Sequence, residues 1–185
     1  MKKIIISSLA VVSLLSVTSC KTDFETDMSK IQVTSGEADF SKYVALGNSL
    51  TSGYRDGALY ADGQRESYPA MIAGQMQKAG GGAFTQPLVP DNIGGFTNVP
   101  GFRGKLTLQV VNGALSPVYS TAVSALDRLT GTYNNMGVPG AKSYHLVANG
   151  YGNAAGMLSG TANPYFVRFA SSPTRSVLED AKAQN

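Results

Sequence analysis

The stretch from Tyr43 to Tyr54 constrains the fold more than any other part of this sequence. It reads YVALGNSLTSGY, so a short apolar run at residues 43–46 is followed at once by a small polar turn. The apolar run predicts a buried strand. Ser49, in the turn behind that strand, would lie at the carboxyl edge of a sheet, where open α/β sheets bind their ligands. The stretch therefore predicts an α/β fold with a site at Ser49.

The surroundings of this serine exclude one familiar arrangement. The nucleophile turn of α/β-hydrolases has the pattern Gly-x-Ser-x-Gly. Ser49 has Gly47 two residues before it, but the residue two positions after it is Thr51 and not a glycine. The sequence around Ser49 therefore does not predict that turn.

The block Gly47-Asn48-Ser49-Leu50 and the following Thr51-Ser52-Gly53-Tyr54 resemble the first sequence block of the SGNH (GDSL) hydrolases. That family has Gly-Asp-Ser-Leu with a Ser/Ala-Gly-Tyr-like tail. The resemblance implies that Ser49 is a catalytic nucleophile and that Gly47 and Asn48 support its turn. Asn48 replaces the usual Asp. Because Asn keeps the size and the acceptor oxygen of Asp but not its charge, we expect the positioning of Ser49 to survive and any role of a carboxylate to be lost.

A second block, YNNMGVPGAKS at residues 133–143, extends the resemblance. SGNH hydrolases have a strand that ends in an Asn-x-Gly-x-x-Gly-like sequence, whose last glycine donates a backbone N–H to the oxyanion hole. On this match Gly140 is the donor and the amide of Ser49 is its partner. A glycine lets the backbone approach a substrate closely, and a helix within residues 141–147 would favour negative charge at its start. Taken alone, the block also fits a simple Gly/Pro turn between a strand and a helix.

The resemblance implies a partial flavodoxin-like, three-layer αβα sheet of the SGNH type over residues 41–185, with an insertion at about 84–131. Within the insertion, Leu106, Leu108 and Val110 alternate with polar residues before Asn112-Gly113. This pattern predicts a β-hairpin with an Asn-Gly turn. Whether the hairpin lines a substrate cleft or only covers the sheet is left open by the sequence.

Two helices are predicted outside the insertion. Ser67-Tyr68-Pro69 predicts a helix start, because proline suits the first turn, and the helix should continue to about Lys78 before the glycines at 80–82. We expect its apolar residues to face the core: Met71, Ile72, Met76 and Ala79. Ser172-Pro173 predicts the start of a last helix with an apolar stripe, formed by Val177, Leu178 and Ala181.

Two parts of the family's catalytic machinery are missing. The Gly-x-Asn-Asp block and the C-terminal Asp-x-x-His, which carries the general base, are both absent. The only histidine, His145, lies five residues past Gly140, where the family does not place its base. We expect His145 to be a packing or surface residue. An unactivated serine is a weak nucleophile, so the expectation is the N-terminal part of a longer hydrolase, truncated at the C-terminus and a poor enzyme alone.

The first residues predict export and lipidation. Lys2 and Lys3 precede an apolar stretch at residues 4–17 that is short for a membrane span. It ends in Val-Thr-Ser-Cys, which resembles the lipobox of bacterial lipoproteins. Residues 1–19 are then a signal peptide, Cys20 is lipidated, and residues 20–40 form a polar tether. An ordinary buried cysteine after a secretory signal is the alternative. The prediction is a protein anchored to the bacterial cell envelope at the outer membrane, with the acidic tether either an export tag to the surface or a plain linker.

Composition narrows the remaining function classes. A chain of 185 residues with 43% hydrophobic residues suffices for one ordinary domain. The net charge of +3 falls to +1 once Lys2 and Lys3 are removed with the signal peptide. Without a run of Lys or Arg, nucleic-acid binding is not expected. The family resemblance implies no metal and no organic cofactor.

Three functions remain as hypotheses. The first is part of a lipid-anchored esterase or lipase whose ester substrate is undefined, since an acyl ester, a carbohydrate ester and a phospholipid are all open. The second is a non-catalytic surface lipoprotein, a binding module on a degenerate hydrolase scaffold. The third is a small β-rich envelope protein in which the two blocks occur by chance.

Overall fold

The computed structural model describes residues 30–97 and 99–184. All the secondary structure discussed below lies in one compact unit, Thr34–Asn185. Of the other unit, Met1–Val33, only residues 30–33 are described, and their side chains are exposed. The predicted signal peptide, Cys20 and residues 21–29 of the tether lie outside the described residues. No helix in the described ranges is long and apolar enough to cross a membrane.

The unit contains four strands, six short α-helices and a 3-10 turn within its described residues. The strands are β1 (Ala45–Gly47), β2 (Leu106–Val111), β3 (Ala114–Tyr119) and β4 (Asn135–Gly137). The helices are α1 (Ser49–Ser52), α2 (Ala61–Arg65), α3 (Tyr68–Lys78), α4 (Ser143–Leu146), α5 (Pro164–Val167) and α6 (Val177–Lys182), with the 3-10 turn at Ala154–Gly156.

β1 and β4 form a parallel pair. Their register aligns Ala45 with Asn135 and Gly47 with Gly137, and Val138 N–H continues the ladder by donating to Gly47 O at 3.0 Å. Parallel strands require a long crossover, which the whole segment between them supplies. The predicted strand at residues 43–46 is shifted, because the ladder begins only at Ala45, and Leu46 remains 38% exposed. The ends of the two blocks therefore meet at one edge.

β2 and β3 form the predicted hairpin. The strands are antiparallel, with Val111 opposite Ala114, and the two turn residues have positive φ: 52° at Asn112 and 81° at Gly113. Positive φ at both central positions matches the right-handed twist of the strands, and Asn-Gly adopts it readily. Leu108, Val110 and Leu115 are each 71% exposed. The alternating pattern therefore predicted the strands correctly, but the side chains of these apolar residues are not buried.

Helix α3 confirms the predicted helix but corrects its buried face. It runs from Tyr68 to Lys78 with Pro69 in its first turn. Its buried residues are Pro69 and Ala73, whereas Met71 is 58% and Ile72 41% exposed. A helix turns about 100° per residue, so positions 69 and 73 share a face that Met71 opposes. The prediction that Met71 and Ile72 face the core is wrong.

Helix α6 begins later than predicted. Its first residue is Val177 and its N-cap is Ser176, not the pair Ser172-Pro173. The Ser176 hydroxyl accepts from Glu179 N–H at 3.2 Å, and the Glu179 carboxylate accepts from Ser176 N–H at 2.8 Å. This capping box satisfies amides that a helix end leaves unpaired, which sets the start. Of the predicted apolar stripe, Val177 and Ala181 are buried, whereas Leu178 is 37% exposed, so the prediction is wrong for Leu178.

The core combines a group of aromatic side chains with residues of β4 and of the segment that follows it. Met136, Val138, Phe166 and Val177 are almost completely inaccessible. Edge-to-face contact between Phe166 and Phe169, with ring centroids 5.3 Å apart, is typical of aromatic packing. The described residues combine helices with one parallel and one antiparallel strand pair. They belong to the α/β class and are not a β-rich fold.

Candidate functional site

Ser49 occupies a strand-to-helix turn. β1 ends at Gly47, Asn48 caps α1, and Ser49 is the first residue of that helix. The Oδ1 atom of Asn48 accepts a hydrogen bond from Leu50 N–H at 3.3 Å. An N-cap acceptor of this kind satisfies an amide that the helix leaves free. The acceptor oxygen that Asn shares with Asp therefore holds the turn, and no negative charge is needed.

Gly140 lies in the corresponding turn after β4. Its φ of +78° is in the left-handed region, which residues with a Cβ enter at a cost. Asn163 donates from Nδ2 to the carbonyl oxygen of Pro139 at 2.8 Å. Since this carbonyl belongs to the peptide that carries the Gly140 N–H, Asn163 holds the plane of that peptide.

The two turns border one open cavity of about 480 Å³. This volume is in the range of small-molecule sites. The structure therefore brings Ser49 and Gly140, predicted from separate sequence blocks, to the same cavity. Its other lining residues are Tyr54, Gly57, Gly101, Phe102, Arg103, Pro139, Asn163 and Tyr165.

Two backbone amides at this cavity have no acceptor among the described residues. Within the described residues, neither the N–H of Ser49 nor that of Gly140 donates a hydrogen bond. In a trans peptide the N–H points opposite to the C=O, so the bond from Asn163 to Pro139 directs the Gly140 N–H away from the Asn163 side chain. Free amides beside a serine hydroxyl are the components that stabilise an oxyanion.

Asn163 is the residue that the sequence did not reveal. Besides Pro139 O, its Nδ2 contacts Tyr151 Oη at 3.0 Å, and its Oδ1 accepts from Tyr165 N–H at 2.9 Å as the N-cap of α5. The Asn-Pro pair is a readable helix-start signal. Its contact with the Gly140 turn depends on the tertiary fold, so nothing local signals it.

The described residues that line the cavity include no side chain that accepts a proton at neutral pH. Burial raises the pKa of Tyr54 and, more strongly, that of Tyr165, so both hydroxyls stay protonated. No Asp, Glu or His is among the lining residues. The Ser49 hydroxyl also makes no hydrogen bond to another described residue. An attack by Ser49 therefore needs a base from elsewhere.

His145 lies at a neighbouring cavity. Its ring stacks on Tyr151 with centroids 4.7 Å apart, and its Nδ1 accepts from Lys142 N–H at 3.1 Å. This second cavity, of about 390 Å³, shares Phe102 and Asn163 with the first but is not lined by Ser49. These contacts are those of a packing residue. The remaining lining residues are Val99, Pro100, Met157, Leu158, Gly160, Ala162 and Pro164.

The insertion at about 84–131 contributes one wall of the Ser49 cavity. Gly101, Phe102 and Arg103 line it, and the Phe102 ring packs against Tyr165 with centroids 5.2 Å apart. The hairpin supports this wall through Tyr119, whose ring lies under the Arg103 guanidinium at 5.4 Å. None of the described lining residues belongs to the hairpin, so the loop at residues 101–103 lines the cavity and the hairpin itself only contacts this wall through Tyr119.

The part of the chain that the structure describes contains no group of three or more His, Cys, Asp or Glu side chains able to hold a metal ion. Comparisons with family models, with curated proteins and with solved structures found no match to this chain.

Proposed function

We propose that this chain is the nucleophile-bearing N-terminal part of a lipid-anchored serine ester hydrolase of the SGNH type. The observation that carries the proposal is the shared cavity of Ser49 and Gly140. Each residue follows one of two adjacent parallel strands, and each was singled out by a different sequence block. Two independent motifs that meet at one cavity favour a common chemical role.

In this mechanism the Ser49 Oγ attacks the ester carbonyl carbon. The carbonyl oxygen takes up negative charge and is held by the amides of Ser49 and Gly140, while a base removes the serine proton. The intermediate then collapses and its bond to the alcohol breaks, the alcohol leaves with the proton from the base, and water hydrolyses the acyl-serine to release the acid. Asn163 acts as a positioning residue because it orients the Gly140 peptide. The base would be a histidine from chain outside these 185 residues, as the resemblance implies.

The finer architecture belongs to the same proposal. The parallel pair of β1 and β4 fits the centre of a flavodoxin-like, three-layer sheet, in which successive parallel strands are joined by crossovers. The β2–β3 hairpin pairs separately and fits an insertion into that scaffold. Anchoring of the protein in the cell envelope, at the outer membrane, would depend on lipidation of Cys20.

Chemical rescue tests the serine assignment on the chain as it stands. The purified protein is incubated with 4-nitrophenyl butyrate, with and without imidazole as an external base, and the butyryl adduct is located by peptide mass spectrometry. We expect the adduct on Ser49, at a rate that rises with imidazole concentration, because none of the described lining residues is a base. Adduct mass is measured, since imidazole itself hydrolyses the ester.

Ser49→Ala should abolish this adduct, and Ser159→Ala, at an exposed position away from the cavity, should not. Equal labelling of the Ser49→Ala protein, or labelling confined to other residues, would contradict the nucleophile.

A non-catalytic binding module is the second candidate. It is favoured by the absence of a proton acceptor among the residues that line the cavity. It predicts that imidazole produces no adduct on Ser49 at any concentration, although the cavity still binds small molecules. The same mass spectrometry therefore separates the two functions.

A further inference from the structure

Arg103 introduces a positive charge into the wall of the Ser49 cavity. Among the described residues that line this space it is the only charged one, and the others are small, aromatic or uncharged polar residues. Its guanidinium group lies over the Tyr119 ring, 5.4 Å from the ring centroid. A cation–π contact of this kind orients the group and leaves its N–H donors free.

Among the residues that the structure describes, no acidic side chain forms an ion pair with Arg103. In the described part of the chain, Arg55 pairs with Glu66 at 2.6 Å, and Arg65 and Arg175 also contact carboxylates. The other two arginines, Arg128 and Arg168, donate to backbone carbonyls. Arg103 alone among the arginines forms neither an ion pair nor a hydrogen bond with a described residue. Its donors are therefore available to a ligand.

The backbone on either side of Arg103 is tightly packed. Phe102 contacts both Phe96 and Tyr165, with ring centroids 5.7 and 5.2 Å away. Gly95 packs so closely that an added Cβ would lie 2.6 Å from the Arg103 carbonyl carbon. The position from which the side chain extends is therefore set by the core, although its charged end is exposed.

We infer that Arg103 is a specificity residue that binds an anionic group, so that the substrate is an ester whose acyl or alcohol part carries a carboxylate or a phosphate. This inference depends on the proposed function for the location of the ester bond. The chemical reason is the planar guanidinium fork, which binds carboxylate and phosphate through two parallel hydrogen bonds. A neutral ester of the same size would offer these donors no charged acceptor and leave them to water.

Ligand-observed saturation-transfer NMR on the purified protein tests the inference without any turnover. Monomethyl succinate is the carboxylate probe, dimethyl succinate is its neutral counterpart, and inorganic phosphate, supplied as a competitor, is the phosphate probe. We expect the monoanion to bind at least about tenfold more tightly than the diester, as one charge-assisted pair allows. If phosphate displaces monomethyl succinate and chloride at equal ionic strength does not, the site also binds phosphate.

Arg103→Gln should weaken binding of the anion by at least about tenfold, and Arg103→Lys should give an intermediate affinity because it keeps the charge but not the fork. Arg65→Gln, which removes the same charge from an exposed position outside the cavity, is the matched control and should bind as the unmodified protein does. Equal binding of both succinate esters, or binding of monomethyl succinate and phosphate that is unchanged in Arg103→Gln, would overturn the inference.

The anion-binding experiment and the Ser49 labelling experiment can fail independently of each other. If anion binding depends on Arg103 but Ser49 never forms an adduct, the ester hydrolase is refuted and the anion site stands as part of a binding module. If Ser49 is acylated but the anion does not depend on Arg103, the hydrolase stands and the substrate class is wrong.

Discussion

Asn48 illustrates how one side chain determines the geometry of the candidate nucleophile. It stands between the last residue of β1 and Ser49, and its Oδ1 accepts from the Leu50 amide. The task is that of a hydrogen-bond acceptor, which Asn and Asp fulfil equally. The departure of this sequence from Gly-Asp-Ser-Leu therefore preserves the local structure around Ser49.

Substitution of Asn48 should lower the free energy of unfolding only when the new side chain lacks a hydrogen-bond acceptor for the Leu50 amide. We expect Asn48→Ala to lower the free energy of unfolding by about 1 kcal/mol, because the Leu50 amide loses its partner. Asn48→Asp should stay close to the unmodified protein, since it keeps the acceptor and adds favourable charge at a helix start. Urea unfolding of the three proteins measures this, and an Asp variant as weak as the Ala variant would contradict the capping role.

Two glycines near the site are required for different reasons. At Gly140 the φ of +78° is the constraint, and an added Cβ would find only the Asn163 Nδ2 at 4.0 Å. At Gly137 the constraint is space, because an added Cβ would lie 2.4 Å from the backbone nitrogen of Ser52.

Alanine substitutions should separate these causes. Gly140→Ala should cost about 1–2 kcal/mol of backbone strain. Gly137→Ala should cost more, about 3 kcal/mol, since the backbone of α1 must move away from β4. Thermal and urea unfolding of the two variants gives the order, and a larger loss for Gly140→Ala would show that the pairing of α1 with β4 is looser than described.

The secondary-structure elements that were predicted correctly are those specified by a few neighbouring residues. The hairpin and its Asn-Gly turn are predicted correctly because the turn geometry depends on two adjacent residues. The extent of α3 is also predicted, since proline and glycine define its ends. Its buried face is not, because the choice of Ala73 over Met71 depends on the neighbours that the helix meets. The start of α6 was missed although the Ser176–Glu179 capping box was present in the sequence.

That capping box should make α6 sensitive to acid. Hydrogen bonds from the Ser176 backbone and hydroxyl hold the pKa of Glu179 below its ordinary value. A lowered folded-state pKa contributes stability above the ordinary carboxyl pKa of about 4.3. That contribution is lost as the pH falls through the folded value.

We therefore expect the unmodified protein to exceed Glu179→Gln in stability at pH 6 and the difference to shrink towards pH 3. The Gln variant keeps an acceptor that does not titrate, so it serves as the reference. Urea midpoints of both proteins across this range provide the measurement, and a constant difference would exclude Glu179 as the titrating group.

At the scale of the whole molecule, buried polar side chains join segments that are far apart in sequence. Gln64 donates to Pro87 O at 3.0 Å and accepts from Val89 N–H at 2.7 Å. Arg168 also donates to the carbonyls of Pro87 and Leu88. The irregular chain at residues 87–89 thus obtains from side chains the partners that a sheet would provide, as buried backbone groups require.

Gln64→Leu should lower the free energy of unfolding by about 1–3 kcal/mol, because the buried Val89 amide is left without an acceptor. Pro87 O keeps its bond from Arg168, so the effect reports mainly on the amide. Gln77→Leu makes the same substitution at an exposed glutamine and should change stability by no more than about 0.5 kcal/mol. Similar losses in both variants would mean that the polar network does not stabilise the unit.

The sequence by itself determined those features that depend on neighbouring residues. These are the strand-to-helix turn at Ser49, the glycine turn at Gly140, and the hairpin with its Asn-Gly turn, and short-range hydrogen bonds and backbone preferences specify each of them. The tertiary structure alone decided that β1 lies beside β4, that Asn163 holds the Gly140 peptide, and that Arg103 extends into the wall beside Ser49. These contacts join residues tens of positions apart, and only burial of the core brings them together, so no local pattern encodes them.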